Sequence, residues 1–402
     1  MIIPFSPPFI DEDVERAVLE TLRSGWITSG PAVLALEKLV AEKSKVENVV
    51  CVNSATSALM LVLHWFGVGR GDEVIVPAYT YAATALAVMH VGATPVMVDA
   101  ALDFNIDVNK INEKITGKTK AIIPVDIAGW PCDYNALYKL IEQKRNVFSS
   151  SNETQKKLGR ILLLADSAHS IGAEYFGNPS GALADITVFS FHAVKNITTA
   201  EGGAICITLP TAFSNEEEYE KLKLWSLNGQ TKDAFTKSQG GSWKYDIVYP
   251  GFKMNMPDIC AAIGLAQLKK YSQVILPARK IIFERYVKKF SQHAWAELPP
   301  QDSDEKKSSY HLFALRIRNI SEDQRDVMIE KISEQGVAVN VHFQPLPLLT
   351  VFKSKGYSMK EYPTAYDNYL REISLPIYPG LDESKIDFVV SAVALAYRQV
   401  TA

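Results

Sequence analysis

The chain has 402 residues, which is longer than a single ordinary hydrophobic core, so its length predicts two domains or one large domain with a smaller one attached. Apolar residues make up 47% of it and charged residues 22%, as in a globular protein and unlike a disordered chain. The formal net charge is −3 and the basic residues are spread along the chain, which argues against nucleic acid or anionic lipid as partners and favours a small-molecule substrate.

The N-terminal part of the chain predicts one helix, over residues 11–24, that packs near the C-terminal region. The opening residues lack the charged start and apolar core of a signal peptide, and no later run reaches the roughly 20 apolar residues of a membrane span. We therefore expect a cytoplasmic protein without membrane contact.

Seven strand-like runs alternate with helical patterns between residues 30 and 270. They read VVCVN, EVIVPA, TPVMVD, KAIIPVD, RILLLAD, ITVFSF and GGAICIT. Strands that alternate with helices predict an α/β fold with a largely parallel sheet covered on both faces. One segment differs, because residues 144–160 are polar and rich in Ser, and we expect an exposed, mobile loop there.

The pattern changes from about residue 275. A long polar helix over residues 276–291 is followed by the runs SSYHLFALRIR and AVNVHF and by a final helix after Asp382, which together indicate a smaller α+β domain. We therefore expect an N-terminal segment over residues 1–29, a large domain over residues 30–274 and a small domain over residues 275–402.

Lys195 lies in the stretch VFSFHAVKNITTAEGGAI, on a loop that leaves a buried strand. Most lysines only keep a charge in water, but α/β proteins place their chemistry at such strand ends. A lysine in an apolar setting can lose its proton and form a Schiff base with an aldehyde. The first candidate aldehyde is pyridoxal 5'-phosphate (PLP), which needs a phosphate cradle, a partner for its pyridine nitrogen and a packed ring face.

The sequence has a candidate for the phosphate cradle. The stretch NSATSALMLVLHWFGV begins with small hydroxyl residues and continues as an apolar helix, so Ser54, Ala55 and Thr56 would offer free N–H groups to a phosphate. The alternative is an ordinary helix N-cap. Ser190, five residues before Lys195, could add a hydroxyl group to the phosphate.

Candidates for the other two requirements follow two further strands. Asp166 ends an apolar strand and would keep the pyridine nitrogen protonated, or else it caps the next helix. His169 would lie beside the cofactor hydroxyl, or else it is a packing residue. Tyr81 would stack on the pyridine ring, or else it is an ordinary core aromatic.

Together these motifs resemble the fold-type I PLP enzymes, and specifically the DegT-type sugar-nucleotide aminotransferases. The resemblance covers nearly the whole chain and rests on SGWITSGP, NSATSAL, GDEVIVPAYTY, GATPVMVD, ADSAHSIGA, FSFHAVKNITTAEGG, GFKMNMPDICAAIGLAQL and SLPIYPGL. The forms SGWITSGP, SFHAVKNIT and GFKMN look most like the branch that forms UDP-4-amino-4-deoxy-L-arabinose.

The resemblance implies an aspartate-aminotransferase-like fold with a mainly parallel seven-stranded sheet. It also implies transfer of an amino group from L-glutamate to a keto sugar, with a 4-keto sugar linked to UDP as the first candidate, for cell-surface polysaccharide or glycan biosynthesis. Lys195 would be the Schiff-base lysine and proton shuttle. The implied cofactor-binding residues are Ala55, Thr56, Tyr81, Asp166, His169, Ser190 and Asn255.

The resemblance also implies a homodimer with composite active sites. Many relatives carry an Asn two residues after the Gly of the GFKMN segment, where it reaches the phosphate of the partner subunit. This chain has Lys253 there, and Asn255 two residues further on is the candidate for that contact, with Lys253 close to it. The sugar-nucleotide pocket has four candidates, each of which could instead serve interface or core packing: Trp26, Thr28, Tyr310 and His342.

Two other functions compete with the aminotransferase. The first is a PLP-dependent sugar dehydratase or lyase, but dehydrating members of this family carry His at the position of Lys195. The second is a non-catalytic PLP-binding regulatory protein, which the complete set of cofactor residues argues against. The histidines and cysteines show neither HxxxH nor CxxC spacing, so no metal site is expected.

Overall fold

The structure is a computed structural model that describes residues 1–232 and 244–401. The helices are α1 Glu12–Arg23, α2 Pro31–Ser44, α3 Ala55–Trp65, α4 Ala83–His90, α5 Val108–Ile111, α6 Tyr134–Gln143, α7 Glu153–Leu158, α8 Asn215–Ser226, α9 Asp258–Lys270, α10 Leu276–Phe290, α11 Glu322–Glu334, α12 Thr350–Lys353, α13 Pro363–Arg371 and α14 Glu383–Thr401. The strands are β1 Asn48–Val52, β2 Glu73–Pro77, β3 Thr94–Val98, β4 Thr119–Ile122, β5 Leu162–Asp166, β6 Glu174–Tyr175, β7 Asn178–Pro179, β8 Ile186–Ser190, β9 Gly203–Ile207, β10 Ala296–Glu297, β11 Lys306–Lys307, β12 Phe313–Ile317 and β13 Glu372–Leu375.

Seven strands form the main sheet in the order β1-β9-β8-β5-β4-β2-β3. Pairing is parallel from β8 through β5, β4 and β2 to β3, and β9 runs antiparallel to both β1 and β8. The sequence-based prediction of a mainly parallel seven-stranded sheet is confirmed. No helix lies between β8 and β9, so the chain makes no parallel crossover there and returns antiparallel.

The carboxyl ends of β5 and β8 meet the first turn of α3. Gly203, at the start of β9, passes that turn so closely that a Cβ atom there would lie 2.7 Å from the backbone nitrogen of Ala55. Only a glycine lets the strand run beside the helix N-terminus at this distance. The strand ends and the helix N-terminus therefore share one edge of the sheet, where open α/β sheets bind ligands.

The C-terminal part of the chain builds a second core. Helices α10, α11 and α14 pack on the small antiparallel sheet β10-β12-β13 through residues such as Phe313, Met328 and Val389. The start of the chain joins this part through a bridge between Ile3 and Val337, whereas α1 packs against α9. Among the helices of residues 1–232 and 244–401, none is both long and apolar enough to cross a bilayer.

Two local predictions are wrong. Residues 144–160 are not simply an exposed loop, because they contain α7, and the Asn152 and Gln155 amides both donate to the carbonyl oxygen of Phe66, at 3.1 and 3.0 Å. Gln155 is fully buried, so this polar segment is tied to the core. The run AVNVHF forms no strand, and its only pairing with β13 is an isolated bridge between Asn340 and Ser374.

Candidate active site

A cavity of about 420 Å³ lies at this edge of the main sheet. The sequence-predicted residues that line it are Ser54, Ala55, Thr56, Tyr81, Asp166, His169, Ser190, Lys195 and His342. They come from the ends of three strands, the start of α3 and the C-terminal region. The cavity therefore collects nearly all of the predicted cofactor residues in one place.

Lys195 follows β8 by five residues, and its backbone N–H donates to the carbonyl oxygen of His192 at 2.9 Å. Burial of the ammonium group lowers the pKa of Lys195 to about 8, although the nearby carboxylate of Asp166 acts in the opposite direction. An appreciable fraction of the amine is thus neutral near pH 7, which a nucleophile or a base requires.

Asp166 ends β5, is almost fully buried and faces the cavity. Its carboxylate accepts hydrogen bonds from the Thr84 hydroxyl at 2.8 Å and from the Ala168 N–H at 3.3 Å. Burial raises the pKa of Asp166, while the two hydrogen bonds and the charge of Lys195 lower it. The next element after Asp166 is the strand β6 and not a helix, so the alternative interpretation of this residue as a helix cap is wrong.

Ser54 caps helix α3, and its side chain accepts from the N–H of Ser57 at 3.0 Å. The N–H groups of Ala55 and Thr56 belong to the first turn, where no intrahelical acceptor exists. They lie at the cavity together with the positive end of the helix dipole. The capping role and the predicted phosphate cradle are therefore compatible.

His169 and Tyr81 stand on two other sides of the cavity. His169 Nδ1 accepts from the backbone N–H of Ala128 at 3.2 Å, so its ring proton is assigned to Nε2. Burial, followed by the charge of Lys195, holds the pKa of His169 well below its usual value, and the ring stays neutral. Tyr81 is 64% exposed, so it is not a core aromatic.

These residues fit PLP on three separate counts. The Lys195 amine is partly neutral, the Asp166 carboxylate retains lone pairs beyond its two hydrogen bonds, and α3 directs its first N–H groups at the same cavity. A phosphate, a protonated pyridine nitrogen and a carbonyl group are the three features that such a set binds.

Four predicted residues lie outside this cavity. Tyr310 is a correction, because its ring is buried against Phe283 and its hydroxyl donates to Asp302. Trp26 donates from Nε1 to the carbonyl oxygen of Ser29 at 3.1 Å. The carbonyl oxygen of Thr28 accepts from the N–H of Asp258 at 3.2 Å. The Asn255 amide donates to the Ser29 hydroxyl at 2.6 Å.

Three residues of the site escaped the sequence analysis. Thr84, in the first turn of α4, holds the Asp166 carboxylate, and nothing in the local pattern connects it with a carboxylate 82 positions further on. The ring of His311 lies 4.3 Å from that of His169, and Phe343 stacks on His169 from 5.7 Å. The last two come from the C-terminal region, and nothing in the local pattern connects them with Lys195.

Residues 8–394 match the DegT/DnrJ/EryC1/StrS aminotransferase family. The chain belongs to this family. Its similar solved structures include Spr1654 from Streptococcus pneumoniae, which is classed as a sugar aminotransferase. The PLP form of Spr1654 is 44% identical with a TM-score of 0.95, and the two chains cover each other completely, at 100% each.

Two further relatives of this aminotransferase are more distant. PseC from Helicobacter pylori, an aminotransferase of pseudoaminic acid biosynthesis, is 28% identical with a TM-score of 0.86, over 99% of this chain and 100% of PseC. The spore coat polysaccharide biosynthesis protein SpsC from Bacillus subtilis is 34% identical over 97% of this chain and 96% of SpsC. The family and the site geometry together make this protein a PLP-dependent sugar aminotransferase.

Proposed function

We propose that the enzyme moves an amino group from L-glutamate to the 4-keto group of a UDP-linked sugar, for the biosynthesis of a cell-surface polysaccharide or glycan in the cytoplasm. The observation that carries the proposal is Lys195 with its lowered pKa, in one cavity with Asp166 and the N-terminus of α3. The name of SpsC supports a sugar of a coat polysaccharide, and the SGWITSGP, SFHAVKNIT and GFKMN motifs support a 4-keto sugar on UDP.

The bound PLP supplies an exchangeable carbonyl group and an electron sink. The Lys195 Nζ atom takes a proton from the Cα atom of the amino donor and returns it during the reaction. The Asp166 carboxylate would accept the proton of the pyridine nitrogen, and Thr84 fixes that carboxylate in place. His169 would donate its Nε2 proton to the cofactor hydroxyl.

The remaining contacts complete the cofactor site. Ala55, Thr56 and Ser190 would bind the phosphate with N–H and hydroxyl groups, and Tyr81 would cover one face of the ring; all four line the cavity that contains Lys195.

We also infer a homodimer with composite active sites. Trp26, Thr28 and Asn255 lie away from the Lys195 cavity of their own chain, and Asn255 lines a separate cavity with Lys221 and Lys223. Their place outside this cavity supports a role in the active site of a second copy of the chain. Asn255, with Lys253 close to it, would contact the phosphate of the partner subunit.

The substrate is tested by incubating the enzyme with L-glutamate and a panel of UDP-, dTDP- and GDP-linked 4-keto and 3-keto sugars. We expect an amino sugar by mass spectrometry from the UDP-linked 4-keto sugar, together with 2-oxoglutarate. Amination of another sugar alone would contradict the proposed substrate. Loss of water from the sugar without amination would instead identify a dehydratase, and no reaction with glutamate would indicate a regulatory protein.

The composite site is tested by subunit mixing. An Asn255→Ala variant is first shown to be inactive, and it is then mixed with Lys195→Ala under conditions that exchange subunits. Verified heterodimers should regain activity, because one of their two sites has both the lysine and the contact from the partner. Each variant exchanged with itself is the control. Heterodimers without activity would show that Asn255 acts in the active site of its own subunit.

A further inference from the structure

Two buried polar side chains lie behind His342, on the side away from the cavity. Glu372 and Ser374 belong to strand β13 and are fully buried. They are two residues apart, so their side chains point to the same face of the strand, while Ile373 points to the apolar core on the other face. Polar groups this deeply buried need partners.

The partners form a chain of hydrogen bonds that ends at the cavity. His342 Nδ1 lies 2.9 Å from the Ser374 hydroxyl, and that hydroxyl lies 2.5 Å from Oε1 of Glu372. The backbone N–H of His342 donates to the other carboxyl oxygen, Oε2, at 3.0 Å. Because a backbone N–H can only donate, a proton on Glu372 has to sit on Oε1, facing Ser374.

This arrangement allows two states. With Glu372 ionised, Ser374 donates to Glu372 and His342 donates from Nδ1 to Ser374, so His342 Nε2 is an acceptor. With Glu372 protonated, the two side-chain hydrogen bonds reverse: Oε1 of Glu372 donates to the Ser374 oxygen, and the Ser374 hydroxyl donates to Nδ1 of His342. The ring proton of His342 is then on Nε2. The two states differ by one proton, and the imidazole ring is neutral in both.

We propose that His342, Ser374 and Glu372 form a proton relay that lets the cavity exchange a proton with a buried carboxyl group. A donor in the cavity gives a proton to His342 Nε2, the Nδ1 proton passes to the Ser374 oxygen, and the Ser374 hydroxyl proton passes to Oε1 of Glu372. The reverse sequence returns a proton to the cavity. His342 is the catalytic residue, and Ser374 and Glu372 act through it.

The surroundings favour storage of the proton on Glu372. Burial, followed by the charge of Lys195, lowers the pKa of His342 to about 3, so an imidazolium ion is disfavoured. Burial raises the pKa of Glu372 to about 8, against the opposing charges of Arg325 and Arg316. The proton therefore belongs on the carboxyl group at neutral pH.

The backbone around the relay is held in place. Asn340 and Ser374 exchange two backbone hydrogen bonds, at 2.7 and 3.2 Å, and the Tyr79 hydroxyl donates to the carbonyl oxygen of His342 at 2.6 Å. Tyr79 also faces Glu372 and stays protonated, because burial raises its pKa well above the usual value. The positions of His342 and Ser374 are thus fixed independently of the carboxyl proton.

The relay has a use in the proposed reaction, on which this part of the inference rests. When a keto group is replaced by an amino group, its oxygen leaves as water and needs a proton. Lys195 takes and returns the Cα proton of the amino donor, and the proton for the leaving oxygen is a separate requirement that a second acid beside Lys195 would meet. His342 lines the same cavity as Lys195 and can deliver that proton from Nε2.

The relay is tested first without any sugar, by nitrogen-15 NMR of the PLP-loaded enzyme with labelled histidine. The signals of His342 are assigned by their loss in His342→Gln. As the pH falls through about 8, we expect the ring to change from the Nδ1–H to the Nε2–H tautomer without forming an imidazolium ion. A tautomer that stays constant across this range, or a ring that becomes charged, would overturn the relay.

Two variants sharpen the titration. In Glu372→Gln the amide oxygen accepts from the His342 N–H, and the amide nitrogen donates to Ser374, which should hold His342 as the Nε2–H tautomer at every pH. Ser374→Ala should abolish the change of tautomer near pH 8. The control is Glu218→Gln, since this buried glutamate contacts the indole of Trp65 and should leave the His342 titration unchanged.

Steady-state kinetics with the sugar form the second half of the test. Glu372→Gln should lower kcat by about tenfold, with little change in KM; this is less than the roughly 10²–10⁴-fold of general acid–base catalysis because His342 itself stays in place. An unchanged kcat would show that the relay serves no step of turnover. The titration needs no substrate, so an incorrect sugar assignment would leave its result intact, and the two failures can be distinguished.

Discussion

Two buried carboxyl groups, Asp166 and Glu372, stand close to the same cavity, and burial raises the pKa of both. Asp166 lies at the carboxyl end of β5 and lines the cavity itself, within the field of Lys195. Glu372 lies in the C-terminal region, beside Arg316 and Arg325, and connects with the cavity only through Ser374 and His342. The comparison teaches that two carboxyl groups with pKa values raised by the same cause, burial, can differ in role, because one faces the cavity and the other reaches it through a hydrogen-bonded chain of side chains.

The largest effect should come from Lys195, which shares the cavity with Asp166 and His342. Lys195→Ala should lower kcat by at least about 10⁴-fold, because it removes both the nucleophile and the base. Turnover is measured with glutamate and the keto sugar that the wild-type enzyme aminates, and circular dichroism checks the fold. Lys139→Ala, on the exposed face of α6, is the control and should be fully active. Normal turnover of Lys195→Ala would contradict the assignment of Lys195 as the Schiff-base lysine.

A direct comparison of the two carboxyl groups gives the next effect. Asp166→Asn should lower kcat by roughly 10²-fold or more, since a neutral amide cannot stabilise a protonated pyridine nitrogen as a carboxylate does. The loss should exceed that of Glu372→Gln, measured in the same assay. If the two variants lost activity equally, or if Asp166→Asn were unaffected, the distinction between direct and relayed action would be wrong.

A smaller effect is expected at the residue that holds Asp166. Thr84→Val removes the 2.8 Å hydrogen bond to the carboxylate, and a hydrogen bond to a charged group contributes about 1.5–3 kcal/mol. We expect a loss in kcat of about tenfold. Thr84→Ser keeps the hydroxyl group and is the matched control, which should retain most of the activity. Equal losses in both variants would point to packing as the cause.

The smallest effect is a shift along the pH axis in the apoenzyme. Burial lowers the pKa of Lys195 from 10.5 to about 8. Its acetylation by a dilute amine-reactive reagent should therefore accelerate as the pH rises through 8, because only the neutral amine reacts. Exposed lysines, followed by mass spectrometry in the same sample, should respond at higher pH. The Asp166 carboxylate raises the pKa of Lys195, so Asp166→Asn should move the midpoint to lower pH. An upward shift would contradict the proximity of the two groups.

The local patterns of the chain predicted much of the cofactor side of the cavity. Asp166 and Lys195 follow continuous apolar runs, and buried parallel strands place such positions at one edge of a sheet. Ser54 before an apolar helix predicted the start of α3. Residues 144–160 were misjudged, because a polar composition says nothing of the Phe66 carbonyl that Gln155 meets 89 residues away.

The sequence by itself determined the alternation of strands and helices, the family, and the positions of Lys195 and Asp166, since each is encoded within a few neighbouring residues. Only the tertiary structure decided that Thr84 holds Asp166, 82 positions further along the chain, and that Tyr310 turns away from the cavity. It also decided that His342 meets Ser374 and Glu372 about 30 positions later in the chain. Such contacts join residues on separate elements, so their geometry depends on how the elements pack and leaves no periodic or local trace in the sequence.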